Sequence, residues 1–200
     1  MSNAISRRTF LKCAGAATVA VGAASMLGGC SLIDDALNKV MDANGVSGVT
    51  INGVGVQCDF GFQLHEREGE ADFGNIAAVA MDVSFSSVSS KAWTIKASDF
   101  ELTVDGKKAT TLYGEEAKKV YSTTDERTYM PFDKNGQIRL GTEAAESARY
   151  KGGLVVFKLA EVVENWKDMK LKIKVADGEA NFTVTLHTSD SNVLDAKANR

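Results

Sequence analysis

The sequence predicts an all-β domain built as an antiparallel two-sheet sandwich of about seven to nine strands. Three observations carry that expectation. Apolar and polar residues alternate with period two through Phe100–Val104, through Met169–Val175 and again at Phe182, Val184 and Leu186. Asp105-Gly106 and Asp177-Gly178 supply turn dipeptides that tolerate positive φ between such runs. The portion after residue 29 holds about 170 residues, which suits one domain able to bury a core without staples.

The chain opens on an address. Arg7, Arg8 and Lys12 precede an alanine- and glycine-rich apolar run from residue 13 to 27, the order of charge, apolar segment and small residues that a secretory signal needs. Ser6-Arg7-Arg8-Thr9-Phe10-Leu11-Lys12 resembles the bacterial twin-arginine signal, with Arg7 and Arg8 as the recognition pair, and the resemblance implies export of an already folded chain. A transmembrane helix is the weaker expectation, since a span needs about 20 predominantly apolar residues. This run is short and ends at Cys30. Leu27-Gly28-Gly29-Cys30 resembles the bacterial lipobox, which implies cleavage between Gly29 and Cys30 and a diacylglyceryl group on the Cys30 sulfur. The membrane is then a partner, because two acyl chains at about 0.8 kcal/mol per buried methylene anchor a protein that one chain holds only marginally.

These signals divide the chain into a signal peptide at 1–29, a lipidated tether with a short amphipathic helix at 30–45, the β domain at 46–189 and a polar tail at 190–200 that is expected to fray. Removing Arg7, Arg8 and Lys12 lowers the basic side chains from 23 to 20 against 26 acidic ones, a formal net charge of −6. Nucleic acid is therefore excluded as an expected partner, because phosphate binding needs a basic patch. Once Cys13 leaves and Cys30 is lipidated, only Cys58 remains, so no intramolecular disulfide is expected. A lone cysteine in an apolar strand reads as a small core residue rather than a reactive thiol.

Within the tether, Leu32, Ile33, Ala36, Leu37, Val40 and Met41 recur at helical spacing, and Asn44-Gly45 suits a helix end. One Lys against three Asp on the polar face favours docking on the domain over lying on an anionic membrane. From Val46 the period changes to two: Val49, Ile51, Val54, Val56, Cys58, Phe60 and Phe62 suit two short strands with glycines at bends. Residues 76–85 read as a central strand with a bulge near Met81. Strands at 93–95 and 100–104 follow, with a return strand at 109–113 after Asp105-Gly106. The segment 114–134 carries Glu115 and Lys119 at helical spacing and the only proline, Pro131, and is the candidate for a long functional loop. Short and buried strands are expected at 137–140 and 154–159. Lys170, Lys172 and Lys174 then alternate with Met169, Leu171, Ile173 and Val175, the pattern that protects an exposed edge strand from neighbouring molecules.

Ser98-Asp99-Phe100-Glu101-Leu102, Asp105-Gly106-Lys107 and Lys151-Gly152-Gly153-Leu154-Val155-Val156-Phe157 resemble landmarks of the telokin-like, immunoglobulin-like domain of unknown function found in bacterial lipoproteins. The resemblance covers roughly residues 46–188. It implies an immunoglobulin-like sandwich with Phe100 and Phe157 facing the core, an envelope setting, and no catalytic residue to carry over.

Motifs with chemistry are scarce. His65-Glu66-Arg67-Glu68-Gly69 lacks the second histidine of a zinc-protease helix. His65 and His187, the only histidines, are weak metal-ligand candidates that depend on the fold bringing them together. Glu66, Glu68, Glu70 and Asp72 read as a solvated hairpin tip more readily than as a calcium loop. No phosphate loop, complete dinucleotide fingerprint or nucleophile elbow occurs, so no enzyme and no cofactor is expected. Trp93, Tyr113, Tyr121 and Tyr129 flank the irregular loop and are candidates for partner contact, since Tyr and Trp are enriched at binding hot spots. The expectation is a lipid-anchored, non-enzymatic module that binds an unknown envelope protein or ligand. The alternatives are a metal-binding or redox accessory lipoprotein exported folded, and a structural assembly lipoprotein.

Overall fold

The computed structural model describes residues 30–65, 75–121, 129–143 and 146–199. Arg7, Arg8, Gly29 and the acidic run from Glu66 to Asp72 lie outside the described residues. The order is α1 (Cys30–Ala43), β1 (Gly48–Ile51), β2 (Val54–His65), β3 (Ile76–Ser87), β4 (Trp93–Lys96), a 3₁₀ turn, β5 (Phe100–Val104), β6 (Lys107–Lys108), β7 (Thr110–Leu112), α2 (Glu115–Val120), β8 (Gln137–Leu140), α3 (Glu146–Arg149), β9 (Tyr150–Val163), β10 (Met169–Val175), β11 (Gly178–His187) and β12 (Asp190–Asn199).

The all-β expectation holds, but the architecture is not a two-sheet sandwich. Among the described residues, ten strands form one sheet in the order β6-β5-β10-β11-β12-β2-β3-β9-β7, with β1 pairing the first part of β2, and β4 and β8 form a separate two-stranded sheet. The ends of the long sheet come back together: Thr111 Oγ1 donates to Phe100 O at 3.0 Å, and Ala109 N donates to Leu102 O at 2.8 Å. The result is a nearly closed, barrel-like sheet. Its interior is one core containing Phe85, Phe100, Phe157 and Phe182, and Ile95, Ile138 and Leu140 of the small sheet join it. Phe100 and Phe157 face that core as expected.

Local chemistry explains the hairpins. Asn52-Gly53, Asp105-Gly106 and Ala176-Asp177 are two-residue loops with both φ values positive, between 48° and 79°, the turn whose twist matches paired strands. The last turn lies one residue earlier than Asp177-Gly178. Gly178 instead opens β11, where a Cβ would come within 2.7 Å of Ile51 Cγ2. The irregularity expected near Met81 belongs to the partner strand: Cys58 pairs Val83 and Gly61 pairs Met81, so Asp59 and Phe60 together oppose Asp82 in a bulge.

Three further expectations are corrected. β10 is not an edge strand: it pairs β5 on one side and β11 on the other, and its lysines line the solvent face of a central strand. The return after Asp105-Gly106 is only β6, after which β7 leaves to pair β9. The polar tail does not fray. Residues 190–199 form β12, which bridges β11 and β2, with Leu194 fully buried.

Candidate interaction surfaces

The candidate contact residues do not converge on one site. Trp93 lies in β4 against the main core, with the Lys91 ammonium 3.9 Å over its ring. Tyr113 is exposed at 37% and packs at a tilt on Phe132, ring centres 5.9 Å apart; Gly136 leaves room for its ring, since a Cβ there would lie 2.8 Å from Tyr113 Cζ. Tyr121 and Tyr129 pack on a second small core of Ala80, Leu112, Ala117 and Val156. Tyr121 stacks on Phe62 with centres 6.5 Å apart, and the Tyr129 hydroxyl donates to the Tyr121 carbonyl. Through these contacts the two rings tie the end of α2 and Tyr129 to the barrel.

Tyr113 borders a concavity. A shallow groove of about 400 Å³ runs between Tyr113, Gly114, Glu115, Glu116, Phe132, Asp133 and Lys134. The Glu115 carboxyl is held below its usual range by the hydrogen bond from Lys118, at 2.7 Å, so this rim is anionic at neutral pH. A second trough of about 530 Å³ lies on the outer face of β5, β10, β11 and β12, lined by Glu101, Thr103, Lys170, Lys172, Asn181 and Asn199, while the Leu171 and Phe182 side chains point the other way into the core. The alternation of β10 predicts edge protection for those lysines and gives no sign of this trough, because it does not show which strands pair with β10.

The two histidines go to separate partners. His65 Nε2 lies 3.0 Å from Asn192 Oδ1, and His187 Nδ1 lies 2.9 Å from Asp195 Oδ2. Among the described residues no three of His, Cys, Asp and Glu gather as metal ligands. Cys58 is fully buried, and burial, followed by the charges of Asp59 and Asp82, pushes its thiol pKa well up, which makes it a core residue rather than a nucleophile.

At the other end of the chain, Cys30 is the first residue of α1. The helix docks through more than its apolar stripe: Asp34 accepts from Asn52 N at 2.7 Å and Gly53 N at 2.8 Å. Asn38 Oδ1 accepts from Thr50 N at 2.8 Å. Met41 is buried against Gly48, where a Cβ would lie 2.8 Å from its sulfur. Sequence analysis missed Asp34 and Asn38, although their four-residue spacing, followed by Met41, marks one helix face.

No family model matches the chain, and no curated protein matches it. Among solved structures it is similar to YcdA, a candidate lipoprotein of Bacillus subtilis subsp. subtilis str. 168, at 13% identity and a TM-score of 0.43, over 69% of this chain and 38% of that one. The chain therefore spans well under half of that protein, and a likeness this distant assigns neither a family nor an activity.

Proposed function

We propose that the chain is a lipoprotein held at the extracytoplasmic face of a bacterial membrane by a diacylglyceryl group on Cys30, and that its β domain is a non-enzymatic binding module. The observation that carries this reading is the junction at Leu27-Gly28-Gly29-Cys30. An address containing Arg7 and Arg8 ends there, and α1 begins there. Cleavage after Gly29 would leave Cys30 as both the lipid carrier and the first residue of the docked helix. The telokin-like resemblance agrees in setting, although the sandwich it implies differs from the nearly closed sheet. The two concavities described above are open grooves of the kind that suits binding a partner's surface.

Membrane fractionation tests the reading. The wild-type protein is expected in the membrane fraction with a mass raised by the lipid, and Cys30→Ala is expected to leave that fraction. Retention of Cys30→Ala at wild-type level would refute the lipid assignment.

A further inference from the structure

The docked helix has a direction, and the direction sets which end of the barrel meets the bilayer. Asp34 is level with the Asn52-Gly53 turn, Asn38 with Thr50 and Met41 with Gly48, so α1 runs antiparallel to β1 and its start points past that turn. Cys30 is four residues before Asp34, which places its backbone about 6 Å beyond the turn at 1.5 Å rise per residue. The same end of the barrel gathers two more turns. Val88 N donates to Gly53 O at 2.9 Å, Asn52 Nδ2 donates to Ala176 O at 2.6 Å, and Lys91 pairs with Asp177 at 3.4 Å.

From this pole β2 runs eleven steps to His65, about 36 Å of strand, or about 28 Å along the axis at the usual tilt of barrel strands. The far pole carries His65 with Asn192 and the β11–β12 turn. We infer that α1 acts as a rigid strut, not a flexible tether: the pole formed by Asn52-Gly53, residues 88–91 and Ala176-Asp177 rests on the phospholipid headgroups, and the His65–Asn192 pole is presented outward. This rests on the lipid anchor at Cys30. The near pole mixes Asp34 and Asp177 with Lys91, so the orientation is imposed by the covalent anchor and the helix contacts rather than by attraction to anionic lipid, and it persists in high salt.

The test uses the lipidated protein reconstituted into phosphatidylethanolamine–phosphatidylglycerol vesicles that carry a headgroup-level fluorescence quencher. Ser90→Cys labels the near pole and Ser189→Cys the far pole, both on exposed residues, while fully buried Cys58 stays unlabelled. Quenching several-fold stronger at residue 90 than at residue 189 is expected, unchanged in high salt. In an Asp34→Ala, Asn38→Ala background, which frees the helix, the contrast should collapse. Equal quenching at both positions in vesicle-bound wild-type protein overturns the strut. Protein that never partitions into vesicles instead refutes the anchor, and the orientation with it.

Discussion

Asp59 shows what a bulge does to a single ionisable residue. The extra residue in β2 leaves its carboxylate largely buried, accepting from Ser47 N at 3.2 Å and from Gln57 Nε2, and burial raises its pKa from the ordinary aspartate value, against the lowering effect of those two hydrogen bonds. Gln57 Oε1 beside it is buried without a partner among the described residues. Between the unfolded pKa of about 3.9 and the raised folded one, the native state holds more protons than the unfolded chain, so stability falls as pH rises through that window. Acidification from neutral pH toward the unfolded pKa should therefore add stability. Asp59→Asn removes the charge, and its new amide can donate to Gln57 Oε1. Urea midpoints measured from pH 7 to pH 4 are expected to rise in the wild type by an increment that Asp59→Asn lacks, with the variant no less stable at pH 7. A substitution that destabilises at pH 7 and leaves the pH slope intact would show that the carboxylate does not titrate this way.

At the level of elements, strand identity was readable from alternation, while strand pairing was not. Phe100, Leu102 and Val104 alternate cleanly and form β5 as expected, and Met169, Leu171, Ile173 and Val175 form β10. Nothing in either run says which neighbours flank it, because the period-two pattern reports one buried face and is silent about the hydrogen-bonding edges. The lysine row of β10 was misplaced for that reason. Close approaches between strands are likewise invisible until the register is known. Gly61 pairs Met81, and a Cβ on it would lie 2.6 Å from the Ala80 carbonyl oxygen and closer still to Met81 Sδ. The methionine can move, but the backbone carbonyl cannot without disturbing the β2–β3 pairing. Gly61→Ala is accordingly expected to cost about 1–3 kcal/mol as overpacking, read as a lowered urea midpoint with unchanged slope. A midpoint equal to wild type would mean the bulge absorbs the methyl group.

For the whole molecule, closure depends on a segment whose composition hides its role. In 190–199 the inward positions are Leu194, Ala196 and Ala198, and two of the three are alanines, so the apolar alternation is faint against Asp190, Asn192, Asp195, Lys197 and Asn199. A fraying tail was the natural reading. Among the described residues β12 links β11 to β2 in the strand order, so deleting it cuts the sheet into β6-β5-β10-β11 and β2-β3-β9-β7. Both new edges would expose unpaired backbone groups, and the core would open where Leu194 is fully buried. A chain ending at Thr188 should thus lose its cooperative thermal transition and bind a hydrophobic dye at 25 °C, an effect far larger than trimming a loose terminus produces. A truncated chain that melts cooperatively near the wild-type temperature would mean that the two halves are held together through the core and the β5–β7 seam alone. In that case β12 would be an accessory strand, and the barrel would owe its closure to packing rather than to continuous hydrogen bonding.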